Sequence, residues 1–294
     1  MPPADPLRLV VLARDGSDRV RSAWREVNRF LQDRADVELL AAALDDDLHV
    51  APQGTEMAVV LGGDGAILRA CRMFGTKQVP LLGVNLGRLG FLADLAPDEF
   101  FDRFDELIER RYEIREHLMF RVRLRRGGEY VDVDGAPGGN EGFLGLNELA
   151  VTSRTLHMIE VRLEIGGVPV TTYNGDGLIV STPVGSTAHN LSAGGPILRQ
   201  DLRAFVVTPI CPHTLTVRPL VDVADATYTL ALQNECDGAT ATIDGRTRLP
   251  MTCGDVLELT AAEVTCPLVK LPGASFYAAL HNKLGWGGQP RYRR

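Results

Sequence analysis

The sequence has no Cys-x-x-Cys pair, and its five cysteines (Cys71, Cys211, Cys236, Cys253 and Cys266) are odd in number. A disulfide framework or a zinc site is therefore disfavoured, and reduced thiols of a cytoplasmic protein are the expectation. No apolar run approaches the ~18 residues of a transmembrane helix, so no membrane association is expected. The opening MPPADPLRLVVLARDG has neither a basic start nor an extended apolar stretch, which argues against a secretory signal. Positive charge is also short. Against 38 Asp and Glu there are 31 Lys and Arg, a net charge of −7, which excludes a general electrostatic grip on nucleic acid. Internal repeats are missing too. What is present is 45% hydrophobic residues, ample for a buried core, and 30 glycines that are unevenly spread.

Short apolar runs alternate with amphipathic stretches through the first third of the chain. Leu7–Ala13 suits a buried strand. In Asp18–Arg34, Val20, Ala23, Trp24, Val27, Phe30 and Leu31 recur at helical spacing and form one core-facing stripe. Met57–Leu61 is a second strand, running into Gly62-Gly63-Asp64-Gly65; Ala66–Phe74 reads as helix and Val79–Val84 as the next strand. Pro97 opens a helix with Phe100, Phe104, Leu107 and Ile108 on one face. Such alternation predicts a parallel sheet covered by helices.

The texture changes near Tyr112. Phe120, Val122 and Leu124 alternate with Arg121, Arg123 and Arg125, and Ile159, Val161, Leu163 and Ile165 alternate likewise. Short strands continue at Tyr228–Leu232, Ala241–Ile243, Val256–Leu259 and Leu268–Leu271, the pattern of an antiparallel region. Gly127–Gly142 is too polar for core and reads as an exposed hairpin or loop. Ser275–Leu284 returns to helical character, and GGQPRYRR reads as a loose tail. The expected fold is α/β plus all-β: a parallel-sheet α/β domain over 1–112 and 272–294, with the last helix returning to it, and a β-rich domain over 113–271.

Three constellations carry possible chemistry. In the strand–Gly62-Gly63-Asp64-Gly65–helix turn, glycines let backbone N–H groups approach a phosphate, and the helix start favours negative charge. Asp64 would repel a phosphate unless it accepts a proton from an attacking hydroxyl or helps hold Mg²⁺; the bland alternative is a tight turn with Asp64 capping the helix. Asn174–Ser192 packs Ser181, Thr182, Gly185, Ser186, Thr187 and Ser192 between apolar stretches. That suits a polyhydroxylated ligand, although a surface loop has the same composition. Asn147-Glu148, before the strand Leu149–Thr152, could grip a base edge and a ribose diol, or simply turn the chain.

Together these residues resemble the NAD kinase family. Its GGDG turn, Asn-Glu pair, DGLIxSTPxGSTAYxxSAGGPI run and TPIxPHxLxxRP stretch are met by Gly62–Gly65, Asn147-Glu148, Asp176–Ile197 and Thr208–Pro219. Leu82–Leu95 matches a further family segment. GGDG is shared with diacylglycerol and sphingosine kinases, whereas the Asp176–Ile197 run is specific to NAD kinases. The resemblance implies phosphoryl transfer from ATP, or polyphosphate in some members, to the 2′-hydroxyl of the adenosine ribose of NAD, with Mg²⁺ or another divalent cation. It implies Asp64 as the proton acceptor, and Asn147 and Glu148 on the adenosine side. Asp176 and Asp244 would lie near the nicotinamide end, in a site shared between subunits. Thr187, Ala188 and Ser192 would line the adenine pocket, and His157 would touch ligand. The ligand-contacting set extends to Gly65, Arg69, Asn174, His189, Asn190, Leu191 and Arg246. NAD would lie across the domain cleft of a homodimer or homotetramer.

The chain departs from the family pattern at four places. Ala66 follows GGDG where threonine is common, which removes a hydroxyl. His189 replaces the usual tyrosine with a smaller, titratable ring. Asn174 stands where an arginine often precedes Asp-Gly, and Arg246 replaces a frequent glutamine. Arg121, Arg123 and Arg125 read as a solvated or subunit-facing stripe; Cys211 and His213 read as packing or structural residues. A lipid or other small-molecule kinase, and a catalytically silent NAD-binding sensor, are the competing readings.

Overall fold

A computed structural model describes residues 5–13, 17–44, 50–87, 90–93, 95–131, 141–155, 157–233 and 238–286. Cys236, the heart of the Gly127–Gly142 segment, positions 88, 89 and 94 of Leu82–Leu95 and the GGQPRYRR tail lie outside them. The chain divides into two compact units, Met1–Glu116 with Cys266–Arg294, and His117–Thr265.

The first unit opens with β1 (Leu7–Ala13), α1 (Asp18–Gln32), β2 (Val37–Ala43), β3 (Met57–Leu61), α2 (Asp64–Phe74) and β4 (Leu81–Val84). The strands are parallel in the order β2-β1-β3-β4. Every residue of β3 is buried, as expected of a strand covered on both faces. Ser17 caps α1 by accepting the Val20 N–H, and Val20, Val27 and Leu31 form its buried stripe. The single helix expected after Pro97 is instead two, α3 (Pro97–Asp102) and α4 (Phe104–Ile108). Arg103 leaves helical geometry between them, its guanidinium bonded to Glu106 and to the Pro272 carbonyl. Phe100, Phe104 and Leu107 remain buried in the core across the break, and Phe30 meets both rings edge-on.

The second unit is antiparallel. It contains most of β5 (Glu113–Arg126), then β6 (Glu129–Tyr130), β7 (Phe143–Gly145), β8 (Glu148–Ser153), β9 (Ile159–Ile165), β10 (Val168–Gly175) and β11 (Gly177–Ser181). After one turn of 3₁₀ helix and the short α5 (His189–Ser192) come β12 (Ala204–Ile210), β13 (Leu220–Val223), β14 (Tyr228–Leu232), β15 (Ala239–Ile243) and β16 (Thr247–Met251). Gly127 and Gly128, both at positive φ, make the two-residue β5–β6 turn. One sheet runs β13-β12-β11-β8-β15-β16, and facing apolar residues such as Phe120, Phe205 and Tyr228 fill the unit's core.

The two short strands expected at Val256–Leu259 and Leu268–Leu271 are one, β17 (Val256–Lys270). Its start pairs with β14 in the second unit; its end, at Leu268, pairs in parallel with Leu81 in the first. The half-exposed middle carries no apolar alternation, which hides its continuity in the sequence. Finally α6 (Phe276–Leu284) belongs to the first unit, started by a Ser275 cap, ended by Gly285 in the left-handed region and anchored by buried Leu280.

Candidate functional site

In the first unit, β3 delivers the chain to Gly62, whose φ of +149° and 2.7 Å approach to the Ala66 Cβ leave no room for a side chain. Gly63 then begins α2 without a side-chain cap. Asp64 does not cap the helix either; it is the first helical residue. Its carboxylate reaches to a loop 27 to 29 residues on: Oδ2 accepts the Phe91 N–H at 2.9 Å, and Oδ1 accepts those of Leu92 at 3.0 Å and Ala93 at 3.1 Å. A Cβ at Gly90 would lie 1.9 Å from Oδ1, so glycine there is a condition of the arrangement. The buried Lys270 ammonium donates to the Leu92 carbonyl at 2.9 Å and fixes the loop from below. Lys283, on α6, brings its ammonium to 3.6 Å from Asp64 Oδ2 and 4.1 Å from the centre of the Phe91 ring. Gly65 continues the turn, and Arg69 lies half-buried one helical turn further along α2.

The second unit gathers Asn147, Glu148 and Asp244. Asp244 has a φ of +49°, uncommon for a residue with a side chain, in the turn after β15. That turn aims its carboxylate at the start of β8, where it accepts the N–H groups of Leu146 at 3.0 Å, Asn147 at 2.7 Å and Glu148 at 3.3 Å. Asp244 also donates its own N–H to the Glu148 carbonyl. The Glu148 side chain is buried, and its Oε2 finds no hydrogen-bond partner. Burial, and then the neighbouring Asp244 charge, push the Glu148 carboxyl up to about 8; a contact from the His189 backbone N–H opposes them.

The Ser/Thr-rich segment behaves differently from its composition. Ser181, Thr182 and Ser186, expected to offer hydroxyls to a ligand, are buried and bond the protein's own backbone. Thr182 donates to the Leu146 carbonyl at 2.5 Å, Ser181 to that of Asn147 at 3.2 Å and Ser186 to that of Pro183 at 2.6 Å. A Cβ at Gly185 would come within 2.1 Å of the Asn147 carbonyl oxygen. These contacts staple the segment to the Asn147-Glu148 turn. Asn190 is buried as well, donating to the Ser186 and Pro196 carbonyls and accepting from Thr208. Thr187, Ala188 and Leu191 are half-buried, and His189 and Ser192 are exposed.

The remaining candidates are more open. Asp176 is exposed at the start of β11, with its carboxylate on the Cys211 thiol. Cys211 is thus exposed rather than packed, and the Asp176 carboxylate holds it in the thiol form by raising its pKa. Asn174 is half-buried, whereas His157 and Arg246 are exposed. Arg121, Arg123 and Arg125 are paired with Glu263 and Glu258 on β17, and Arg123 also lies over the Tyr130 ring. Sequence reasoning missed Gly90, the Phe91–Ala93 amides, Lys270 and Lys283. The glycines of Leu82–Leu95 hinted at the loop; nothing marked the two lysines.

Comparison with known proteins follows the same division. Residues 26–112 match the ATP-NAD kinase N-terminal domain and residues 146–271 the ATP-NAD kinase C-terminal domain. An NAD kinase of Rhodopirellula baltica is 40% identical over 290 residues, covering 98% of this chain and 90% of the relative. One from Geobacter sulfurreducens is 33% identical over 289 residues, covering 95% and 99%. Among solved structures, an Archaeoglobus fulgidus NAD kinase in complex with ATP matches with a TM-score of 0.68 at 26% identity, over 95% of this chain and 97% of its own. A yeast NADH kinase complexed with NADH has the same fold, with a TM-score of 0.83 at 22% identity over 99% and 91%. Both halves are matched and the Rhodopirellula relative spans almost the whole chain, which excludes the lipid-kinase and silent-sensor readings: the chain belongs to the NAD kinase family and is an NAD kinase.

Proposed function

We propose that the enzyme transfers the terminal phosphoryl group of ATP to the 2′-hydroxyl of the adenosine ribose of NAD. The observation that carries the chemistry is the Asp64 carboxylate, fixed by three backbone amides at a strand-to-helix turn. Oδ1 takes two of those amides and Oδ2 one, which leaves Oδ2 the better placed to receive a proton. In the step, a bond forms between the ribose oxygen and the terminal phosphorus, and the bond from that phosphorus to the bridging oxygen breaks. The hydroxyl proton passes to Asp64 Oδ2, and ADP leaves with the bridging electron pair. The transition state is loose, so orientation and charge neutralisation do most of the work and the proton moves late.

Among the described residues, no three His, Cys, Asp or Glu side chains gather to hold an ion by themselves. A divalent cation would therefore have to be held largely by the donor phosphates, with Asp64 as the acid of this site able to approach it, and would supply charge neutralisation there. An archaeal NAD kinase 26% identical to this chain is known in complex with ATP, which supports ATP as donor. On the acceptor side, Asn147 and Glu148 meet the adenosine portion of NAD, with Thr187, Ala188, His189, Leu191 and Ser192 around the adenine. Asn190 serves that pocket from below through the hydrogen bonds of its carboxamide. Asp176, Asn174, His157 and Arg246 are exposed or half-exposed and suit a site completed by a neighbouring subunit, in a cytoplasmic homodimer or homotetramer. Gly65 and Arg69 belong to the donor side.

The test is direct: purified protein, Mg²⁺-ATP and NAD, with the product read by a dehydrogenase that accepts only NADP. NADP formation that needs both substrates is expected. A phosphorylated product that this dehydrogenase refuses would overturn the assignment of the 2′-hydroxyl.

A further inference from the structure

Lys283 takes no part in the step proposed for Asp64, yet its ammonium meets that carboxylate. Leu280, buried in the first unit, fixes the rotation of α6, and Lys283 follows three residues later, on a neighbouring part of the same face. The Phe91 ring holds the ammonium at 4.1 Å from its centre, while the N–H of that same residue donates to Asp64 Oδ2. Ring, amide, carboxylate and ammonium thus form one closed group. The contrast with Lys270 is informative: that lysine is buried and donates to a carbonyl at 2.9 Å, a structural contact.

Lys283 stands 3.6 Å from Oδ2, within ion-pair range but beyond a normal hydrogen bond. Its side chain remains 26% exposed and that of Asp64 32% exposed. Among the described residues no carbonyl or second carboxylate competes for the ammonium. A pair this long and this open contributes little to stability. Its position matters instead where negative charge accumulates. A donor phosphate approaching Asp64 meets a like charge, and the nearest side-chain cation shown at that carboxylate is Lys283.

We propose that Lys283 is a further catalytic residue. It balances the Asp64 charge in the free enzyme and passes its ammonium to the terminal phosphate of the nucleotide donor when that phosphate arrives beside Asp64. It makes and breaks no covalent bond; it offsets charge on the group being transferred. The proposal rests on Asp64 being the reacting carboxylate.

The experiment compares Lys283→Met and Lys283→Arg in the full-length protein, with KM and kcat determined separately for ATP and for NAD. The methionine keeps the stem over Phe91 and removes the charge. It is expected to lower kcat/KM for ATP by roughly ten- to a hundredfold, the scale of losing one contact to a charged group. KM for NAD should stay within about twofold, and Tm close to that of the parent. Arginine should recover most of the lost kcat/KM, which a purely structural role for the lysine stem would not require. Lys283→Gln provides the same reading should methionine disturb α6. Unchanged kcat/KM for ATP in Lys283→Met would overturn the proposal, as would a lowered Tm with KM for NAD raised as much as KM for ATP. Asp64→Asn, run alongside, separates the two levels: turnover retained in that variant removes the reacting carboxylate itself. Asp64→Asn inactive with Lys283→Met normal removes only the lysine.

Discussion

Asp64, just past the buried strand β3, and Glu148, first in the strand β8, are both carboxylates at strand boundaries, and the molecule treats them in opposite ways. Among the described residues, the groups shown at the Asp64 carboxylate all donate: three amides from Phe91–Ala93 and the Lys283 ammonium. Glu148 instead feels the charge of another carboxylate, Asp244. Asp244 takes the amides at the start of β8, and Glu148 Oε2 is left buried without a partner. Three amides thus go to Asp64 in one unit and three to Asp244 in the other, whereas Glu148 has only the His189 N–H against the cost of burial and holds its proton to about pH 8. Under the proposed function, the difference separates a carboxylate that takes a proton in chemistry from one that is completed by a ligand. The orphan oxygen of Glu148 lies beside a turn stapled by Ser181, Thr182 and Asp244, where that proposal puts the adenosine of NAD.

The largest expected effect breaks the chemical side of the pair. Asp64→Asn should lower kcat by on the order of 10²–10⁴-fold, the range for loss of a general base; steady-state assays with a circular dichroism control measure it. Next, Asp244→Ala orphans the amides of Leu146, Asn147 and Glu148 and puts alanine at a φ of +49°. It should raise KM for NAD by at least about tenfold and lower Tm, with a smaller change in KM for ATP. An unaltered KM for NAD would disconnect Asp244 from the binding turn.

Glu148→Gln sharpens the comparison through pH. The folded pKa of Glu148 is raised, from 4.5 to about 8. Between those values the unfolded chain ionises this group and the folded protein does not, so its burial costs stability as pH rises from 4.5 toward 8 and no more thereafter. Glutamine removes that cost. The variant should gain Tm relative to the parent at pH 8 and show little difference near pH 4.5; parallel melting curves across that window would contradict the buried neutral acid. The smallest effect is expected at the arginine stripe. Arg123→Ala loses a partly exposed pair with Glu258 and the Tyr130 ring. Tm should fall by only a few degrees, with both KM values within about twofold.

How much of this was legible in the sequence follows from range. Strands such as β1 and β3 announce themselves as apolar runs, and α1 by its stripe, because those signals lie within one element. The strand β2 escaped because VELLAAA mixes alanines of low strand preference with half-buried positions. The Asp64 turn was visible as glycines around an acid, but the partners of its carboxylate arrive from a loop beyond β4 and from α6, brought there by topology. Composition marked the Ser/Thr-rich segment as unusual without showing which way its hydroxyls point. Ser181, Thr182 and Ser186 turn inward because a buried tight turn leaves backbone carbonyls that need donors. The acid at Asp244 was found through its motif, whereas its service to three amides depends on the β8–β15 pairing.

The most direct test of the division between the two carboxylates is calorimetric titration of NAD into Asp64→Asn without ATP. If Asp64 serves chemistry and the Glu148 turn serves binding, this variant should bind NAD within about threefold of the parent while its turnover is lost. An Asp64→Asn protein that is folded but no longer binds NAD would place Asp64 among the binding groups and contradict the account.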